Sequence, residues 1–326
     1  MSNPFVFIVG CSRSGTTLLQ HVVAAHPQIA IIPETRWFAR WYEKRRGITA
    51  DGMVTSELIS RLLDKHRLFR DVDLGIGPEE LYALIAGGRG MLYQDFVAFL
   101  FDRYGEARGK PLVGNKTPGF VRRLAILHKL WPRAKFVHII RDGRDVCLSM
   151  MQMRAARSKP TKPGRFATID EDPMITMALW WEWDVRLGRE AGDAIGPQCY
   201  YEMRYESLVA EPEAACRGLC TFLGVPYDDT MLAHHRAKAS ANPRMYQKHS
   251  RLELPITAGL RDWRHEMSAD DAERFEASAG ELLDELGYPR TTVLRSALVE
   301  KAELMRRSFQ GRPHPRCWNP ALSQAK

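Results

Sequence analysis

The chain has no run of apolar residues near the about 20 that a helix needs to cross a bilayer. Its first residues, Met-Ser-Asn-Pro, lead straight into Phe5-Val-Phe-Ile-Val9. The basic start and longer apolar stretch of a signal peptide are missing, so the expected location is cytoplasmic with no membrane span. Cysteine is scarce: six among 326 residues. Cys11, Cys147, Cys199, Cys216, Cys220 and Cys317 contain no CxxC pair and no disulfide-type spacing. Cys216 and Cys220, four apart on a predicted helix, share one face. The ten histidines contain no HExxH, and the pair His234-His235 lacks acidic or cysteine neighbours. No metal site is expected. Basic residues exceed acidic ones, for a net charge of +8. They are dispersed, and no basic-aromatic repeat occurs, so nucleic acid is not an expected partner. The excess suits an anionic ligand.

What is present is the patterning of an α/β domain. Phe5–Val9 is a continuous β-branched and aromatic run, as in a strand buried on both faces of a parallel sheet. Gly10–Gly15 is a small-residue loop, Thr16–Ala25 a helix stopped by His26-Pro27, and Ile29–Ile32 a second strand. Residues 36–107 read as mostly helical, with breaks near Gly47–Gly52 and Asp71–Pro78. Leu112–Val113 is a minimal strand. Residues 119–131 carry Phe120, Leu124, Leu127 and Trp131 at helical spacing. Lys135–Ile140 is a strong strand, and Arg141–Arg154 turns into a helix. Arg157–Pro173 reads as a loop, followed by a helix with Trp180, Trp181 and Trp183 and a strand at Tyr200–Tyr205. The last helices are expected near 268–286 and 292–309, before a proline-containing tail at 311–326. Strand, loop, helix, strand at the start predicts a central parallel sheet with helices on both faces.

Gly10-Cys-Ser-Arg-Ser-Gly15-Thr16-Thr17 follows a buried strand and opens a helix. Small residues let successive backbone N–H groups turn toward one anion, and the helix N-terminus adds partial positive charge. The glycine spacing equals that of a Walker A loop, but Thr16 stands where the Walker lysine belongs. The positive charge lies inside the loop, at Arg13. A nucleoside triphosphatase is therefore disfavoured.

This strand–R-S-G-T-T–helix segment resembles the 5′-phosphosulfate loop of sulfotransferases. Phe136-Val-His-Ile-Ile-Arg141-Asp-Gly-Arg-Asp-Val-Cys-Leu-Ser149 resembles the same family's 3′-phosphate element. His26-Pro27 with Pro33-Glu34-Thr35-Arg36, Asn115-Lys116-Thr117-Pro118, Arg204-Tyr-Glu-Ser-Leu208 and Gly259-Leu-Arg-Asp-Trp263 are similar to segments of tyrosylprotein sulfotransferases and their bacterial relatives. The resemblance touches residues 5–288 in order. It implies a P-loop-like α/β fold, with a sulfotransferase domain over 1–290. The helical stretch 36–107 would be an acceptor-side insertion, and 291–326 a C-terminal helix and tail.

The resemblance also implies a donor, 3′-phosphoadenosine 5′-phosphosulfate (PAPS), leaving as 3′,5′-adenosine bisphosphate without any metal. Cys11, Ser12, Arg13, Ser14, Gly15, Thr16 and Thr17 would hold its 5′ end, and Arg141 and Ser149 its 3′-phosphate. Tyr205 and Ser240 would contact the nucleotide. Sulfonyl transfer needs a base for the acceptor hydroxyl and charge stabilisation for the leaving oxygen. The resemblance gives Glu34 the base role and Arg13 and Lys116 the charge role. His26 or another histidine is the alternative base. The acceptor stays open among small molecules, glycans, lipids and peptide tyrosine. Trp37, Phe38, Trp41 and Tyr42 fit either an acceptor pocket or the core. A P-loop kinase or nucleotidase and an inactive nucleotide-binding protein are the alternative functions.

Overall fold

The run at Phe5–Val9 forms a strand, β1 (Val6–Val9), every residue of which is buried. In the computed structural model, residues 4–35, 37–65, 76–86, 90–155, 171–235, 254–256 and 262–310 are described. Helix α1 (Thr16–Ala25) leads from the loop after β1 to β2 (Ile29–Ile32). The segment expected to be helical holds α2 (Trp37–Glu43), α3 (Ser56–Lys65), α4 (Pro78–Ala83) and α5 (Tyr93–Glu106). Strand β3 (Leu112–Lys116) follows, then a 3-10 turn at Pro118–Arg123, α6 (Leu124–Leu130) and β4 (Lys135–Ile140). Helices α7 (Gly143–Ala155) and α8 (Pro173–Ile195) lead to β5 (Tyr200–Arg204). The remainder is α9 (Tyr205–Ala210), α10 (Pro212–Leu223), a 3-10 turn at Asp229–Met231, α11 (Trp263–Glu266), α12 (Ala269–Glu285) and α13 (Ser296–Gln310).

The five strands form one sheet in the order β2-β3-β1-β4-β5, all pairs parallel. The connection leaving β1 goes to one side of the sheet and that leaving β4 to the other. The carboxyl ends of β1 and β4 therefore flank a topological switch point, where open α/β sheets bind ligands.

Alternation along β1 feeds two cores. Phe7 and Val9 pack with Phe38, Phe101, Trp131 and Phe136 on one face, while Val6 and Ile8 pack with Leu19, Val22 and Leu219 on the other. Trp37, Phe38 and Trp41 are buried in the first of these, so they serve as core and Tyr42 packs against it. Cys216 and Cys220 lie together in the second. Among the described residues no helix is long and apolar enough to cross a membrane.

Three boundaries differ from the sequence reading, each for a local reason. Strand β3 runs on through Gly114, Asn115 and Lys116. Gly114 is needed there because a Cβ would lie 2.2 Å from the Val6 carbonyl oxygen of the neighbouring strand. The helix expected at 119–131 is divided, because consecutive arginines are drawn to different elements. Arg122 pairs with Asp184 of α8 at 3.3 Å and Arg123 with Glu43 of α2 at 2.8 Å, and Arg123 leaves the helical conformation. Helix α7 starts two residues late because Asp142 caps it, accepting the Arg144 backbone N–H at 2.9 Å. The segments 157–170 and 311–326 lie outside the described residues.

Candidate active site

The loop after β1 is shaped by close approach. Gly10 has φ +148, and a Cβ there would lie 2.5 Å from the Ile139 carbonyl oxygen; Gly15 has φ +93, and a Cβ there would lie 2.4 Å from the Tyr205 ring. The Gly10 N–H donates to the Pro118 carbonyl at 3.2 Å, so the loop is tied to the segment that follows β3. Arg13, although not glycine, has φ +79. Such a backbone costs about 1–3 kcal/mol and collects at ligand sites. Its exposed side chain is held by a hydrogen bond from Nε to Ser149 Oγ at 2.8 Å. Arg13 and Ser149, predicted for opposite ends of the donor, are therefore joined directly.

Within the loop, Thr16 is buried, Ser12 and Thr17 are half-buried, and Cys11 is fully buried. Burial, with the Asp184 carboxylate and Cys147 nearby, pushes the Cys11 thiol well above its usual range. Cys11 therefore faces the core, and only its backbone serves the loop. Ser14 Oγ is buried without a hydrogen-bond partner among the described residues. A buried hydroxyl of this kind is stable only with a partner.

Lys116 is the last residue of β3 and 3% exposed. Its Nζ lies 3.1 Å from Glu34 Oε1 and 3.5 Å from Thr17 Oγ1. The base candidate, the charge candidate and the first turn of α1 thus meet at one point. Glu34 keeps its position through its neighbours. Asn115 Nδ2 donates to the Ile32 and Pro33 carbonyls and to Thr35 Oγ1, at 3.2, 3.1 and 2.8 Å. The Thr117 hydroxyl donates to Asn115 Oδ1 at 2.8 Å and accepts the Thr35 N–H at 3.2 Å. Asn115, Thr35 and Thr117 were legible as parts of the two motifs, but a linear reading gave a role only to Glu34 and Lys116.

At the end of β4, Arg141 stacks its guanidinium 4.3 Å from the centre of the Tyr205 ring. It donates from Nη2 to Asp145 Oδ2 at 3.1 Å, while its Nε is buried without a hydrogen-bond partner among the described residues. Tyr205 therefore touches both predicted donor elements, Gly15 on one side and Arg141 on the other. Ser149 is buried one helical turn beyond Asp145. Ser240 lies outside the described residues.

The histidine alternative fails for His26. Gln28 N–H donates to His26 Nδ1 at 3.1 Å, so Nε2 carries the proton and donates to the Pro226 carbonyl at 2.8 Å. Both nitrogens of this buried ring are committed to structure. His138, inside β4, shares a 2.7 Å hydrogen bond with the Tyr200 hydroxyl. Burial, with Arg189 and Arg204 nearby, lowers its pKa to about 3. Among the described residues no group of three or more His, Cys, Asp or Glu is placed to hold a metal ion.

Comparison with known proteins bears on the fold and the family. Two solved structures share the fold. The sulfotransferase domain of the Synechococcus PCC 7002 olefin synthase matches with a TM-score of 0.54 at 20% identity, covering 94% of each chain. The sulfotransferase domain of the curacin biosynthetic pathway matches with 0.51 at 17%, covering 95% of this chain and 98% of that one. Among curated proteins, protein-tyrosine sulfotransferase 1 of Danio rerio is 27% identical over 87% of this chain and 72% of its own length. Omega-hydroxy-beta-dihydromenaquinone-9 sulfotransferase Stf3 of Mycobacterium bovis is 24% identical over 90% of this chain and 77% of its own. Protein-tyrosine sulfotransferase A of Caenorhabditis elegans is 25% identical over 72% of this chain; the match spans about half of that relative, 53%. A family model described as "Sulfotransferase family" matches residues 4–229, a span that takes in the loop after β1, Glu34, Lys116 and Arg141, and this chain belongs to that family.

Proposed function

We propose that this protein transfers a sulfonate group from PAPS to a hydroxyl acceptor, with Glu34 as the base. The observation that carries this reading is the meeting of Glu34, Lys116 and Thr17 beside the loop after β1. The residues present fit the donor. Gly10 and Gly15, both with positive φ, let the loop close against Ile139 and the Tyr205 ring, where a Cβ would collide. Ser14 Oγ and Arg141 Nε are buried polar atoms that call for partners. The loop from Cys11 to Thr17 would take the 5′-phosphosulfate, and Arg141 and Ser149 the 3′-phosphate, with Tyr205 and Ser240 on the nucleotide. The donor supplies an activated sulfonate on a phosphate leaving group.

The chain's own residues divide the remaining work. Glu34 accepts the acceptor's proton, and a positioned carboxylate of this kind contributes about 10²–10⁴-fold in rate. Lys116 orients Glu34 and places a positive charge where negative charge grows, as does Arg13; such preorganised charges need no rearrangement during reaction. The helical stretch 36–107, which follows Glu34 directly, forms the acceptor side. The sulfotransferase unit spans residues 1–290, followed by a C-terminal helix and tail over 291–326.

The names of two relatives point to protein tyrosine and to a hydroxylated menaquinone as acceptors of those enzymes. The test is mass spectrometry of an acceptor panel containing tyrosine peptides, hydroxylated isoprenoid lipids, glycans and phenols, incubated with PAPS. The expected result is a sulfonated product together with 3′,5′-adenosine bisphosphate, unaffected by EDTA. A Mg²⁺-dependent ATPase signal lost on mutation of Arg13, with no sulfonated product, would favour the nucleotidase reading.

A further inference from the structure

The turn after β4 holds two acid–arginine pairs in five residues, and one residue from far along the chain engages both. Arg144 is fully buried. It donates from Nε and Nη2 to the two oxygens of Asp142, at 3.0 and 2.8 Å, and from Nη1 to Glu276 at 3.0 Å and the Pro289 carbonyl at 2.8 Å. The Trp263 ring covers its guanidinium at 3.7 Å. Glu276 in turn accepts the backbone N–H groups of Thr291 and Thr292 at 3.0 Å each. The second pair is Arg141 with Asp145. One oxygen of Asp145 accepts from Arg141 Nη2 at 3.1 Å, and the other accepts the Trp263 backbone N–H at 2.9 Å.

This arrangement turns Asp145 into a two-sided clamp. A guanidinium at the end of a strand keeps several rotamers unless something fixes it. Asp145 fixes one end of Arg141, Tyr205 fixes its face, and the Trp263 N–H fixes Asp145. Nε of Arg141 is left for a ligand.

We propose that Asp145 is a positioning residue for the donor's 3′-phosphate, set in place by Trp263 and acting through Arg141. The inference rests on the assignment of Arg141 to that phosphate. It is not the effect expected of a nearby carboxylate, which would simply repel a phosphate and whose removal would tighten binding. Trp263, Glu276 and Pro289 all lie beyond residue 229, where the family match ends, so the donor site draws on sequence outside the matched span.

The experiment is calorimetric titration of the full chain with 3′,5′-adenosine bisphosphate and with adenosine 5′-monophosphate, which lacks the 3′-phosphate. Melting temperature is measured on each variant. Asp145→Asn should narrow the preference for the bisphosphate by about tenfold, the scale of one lost charge-assisted hydrogen bond. Its affinity for the monophosphate should hold, and Asp145→Glu should restore part of the preference. Arg141→Ala should abolish the preference. If Arg141→Ala leaves it intact, the assignment beneath the inference is wrong. If Arg141→Ala removes it but Asp145→Asn keeps or increases it, the positioning role is overturned. Equal loss of both nucleotides in Asp145→Asn would make Asp145 a purely structural residue and also overturn the role.

Discussion

Lys116 Nζ and Glu34 Oε1 lie 3.1 Å apart, with Lys116 almost wholly enclosed and the Glu34 side chain 34% exposed. One partner is locked in the sheet and the other reaches toward solvent. The carboxylate is thus held from behind while its open side can meet an acceptor.

Replacing that carboxylate separates chemistry from folding. Glu34→Gln keeps the shape and leaves the amide oxygen to accept from Lys116, but removes the basic lone pair. Turnover should fall about 10²–10⁴-fold, while melting temperature and affinity for 3′,5′-adenosine bisphosphate stay as in the wild type. Single-turnover assays with PAPS and a responsive acceptor measure this. Near-normal rates would send the search for the base elsewhere, though not to His26, whose ring nitrogens are both engaged.

The loop after β1 should tolerate no side chain at Gly15. Alanine there meets the Tyr205 ring at 2.4 Å and must adopt φ near +93. Backbone strain alone costs about 1–3 kcal/mol, and displacement of Tyr205 would also release Arg141 from its stacking partner. Gly15→Ala should lower the melting temperature and weaken binding of 3′,5′-adenosine bisphosphate. Unchanged values in both would refute the close packing of loop and ring.

Stability should fall on acidification because of His138. Its folded pKa is lowered to about 3 by burial, with Arg189 and Arg204 adding to the effect, whereas histidine in an unfolded chain titrates near about 6.5. Below that value the unfolded chain binds a proton that the folded strand refuses. The stabilisation is therefore complete above about pH 6.5 and declines as pH drops toward 3, by at most about 1.4 kcal/mol per pH unit. His234, lowered to about 4 by burial and by His235, acts with the same sign. Urea unfolding at pH 7 and pH 5 gives the slope. His138→Gln, which keeps a partner for the Tyr200 hydroxyl, should flatten it; an undiminished slope would place its origin in other groups.

The sheet was legible where its strands are apolar on both faces. Phe5–Val9, Ile29–Ile32 and Lys135–Ile140 declare themselves because a doubly covered strand has no polar face to interrupt the run. Strand β3 was underestimated because Gly114, Asn115 and Lys116 are there for contact, not for β propensity. Gly114 admits the neighbouring strand, Asn115 ties down the chain after β2, and Lys116 reaches the site. The loop after β1 and the element at Arg141 were readable because their spacing is local. The links between them were not. That Arg13 holds Ser149, that Tyr205 touches both Gly15 and Arg141, and that Trp263 engages Asp145 and Arg144 are all long-range pairings. No periodicity reports contacts between residues so far apart in sequence.

The position of β1 in the middle of the sheet has a consequence for how the molecule comes to be made. Its two partners, β3 and β4, are synthesised long after it, and parallel pairing across such separations is slow because the loop must close before any contact rewards it. The loop that follows β1 depends on the same late arrivals, since its outline is set by Pro118, Ile139 and Tyr205. The loop therefore leaves the ribosome well before the residues that give it its shape. Until then an apolar strand with two unpaired edges is exposed, the kind of nascent segment that chaperones shield.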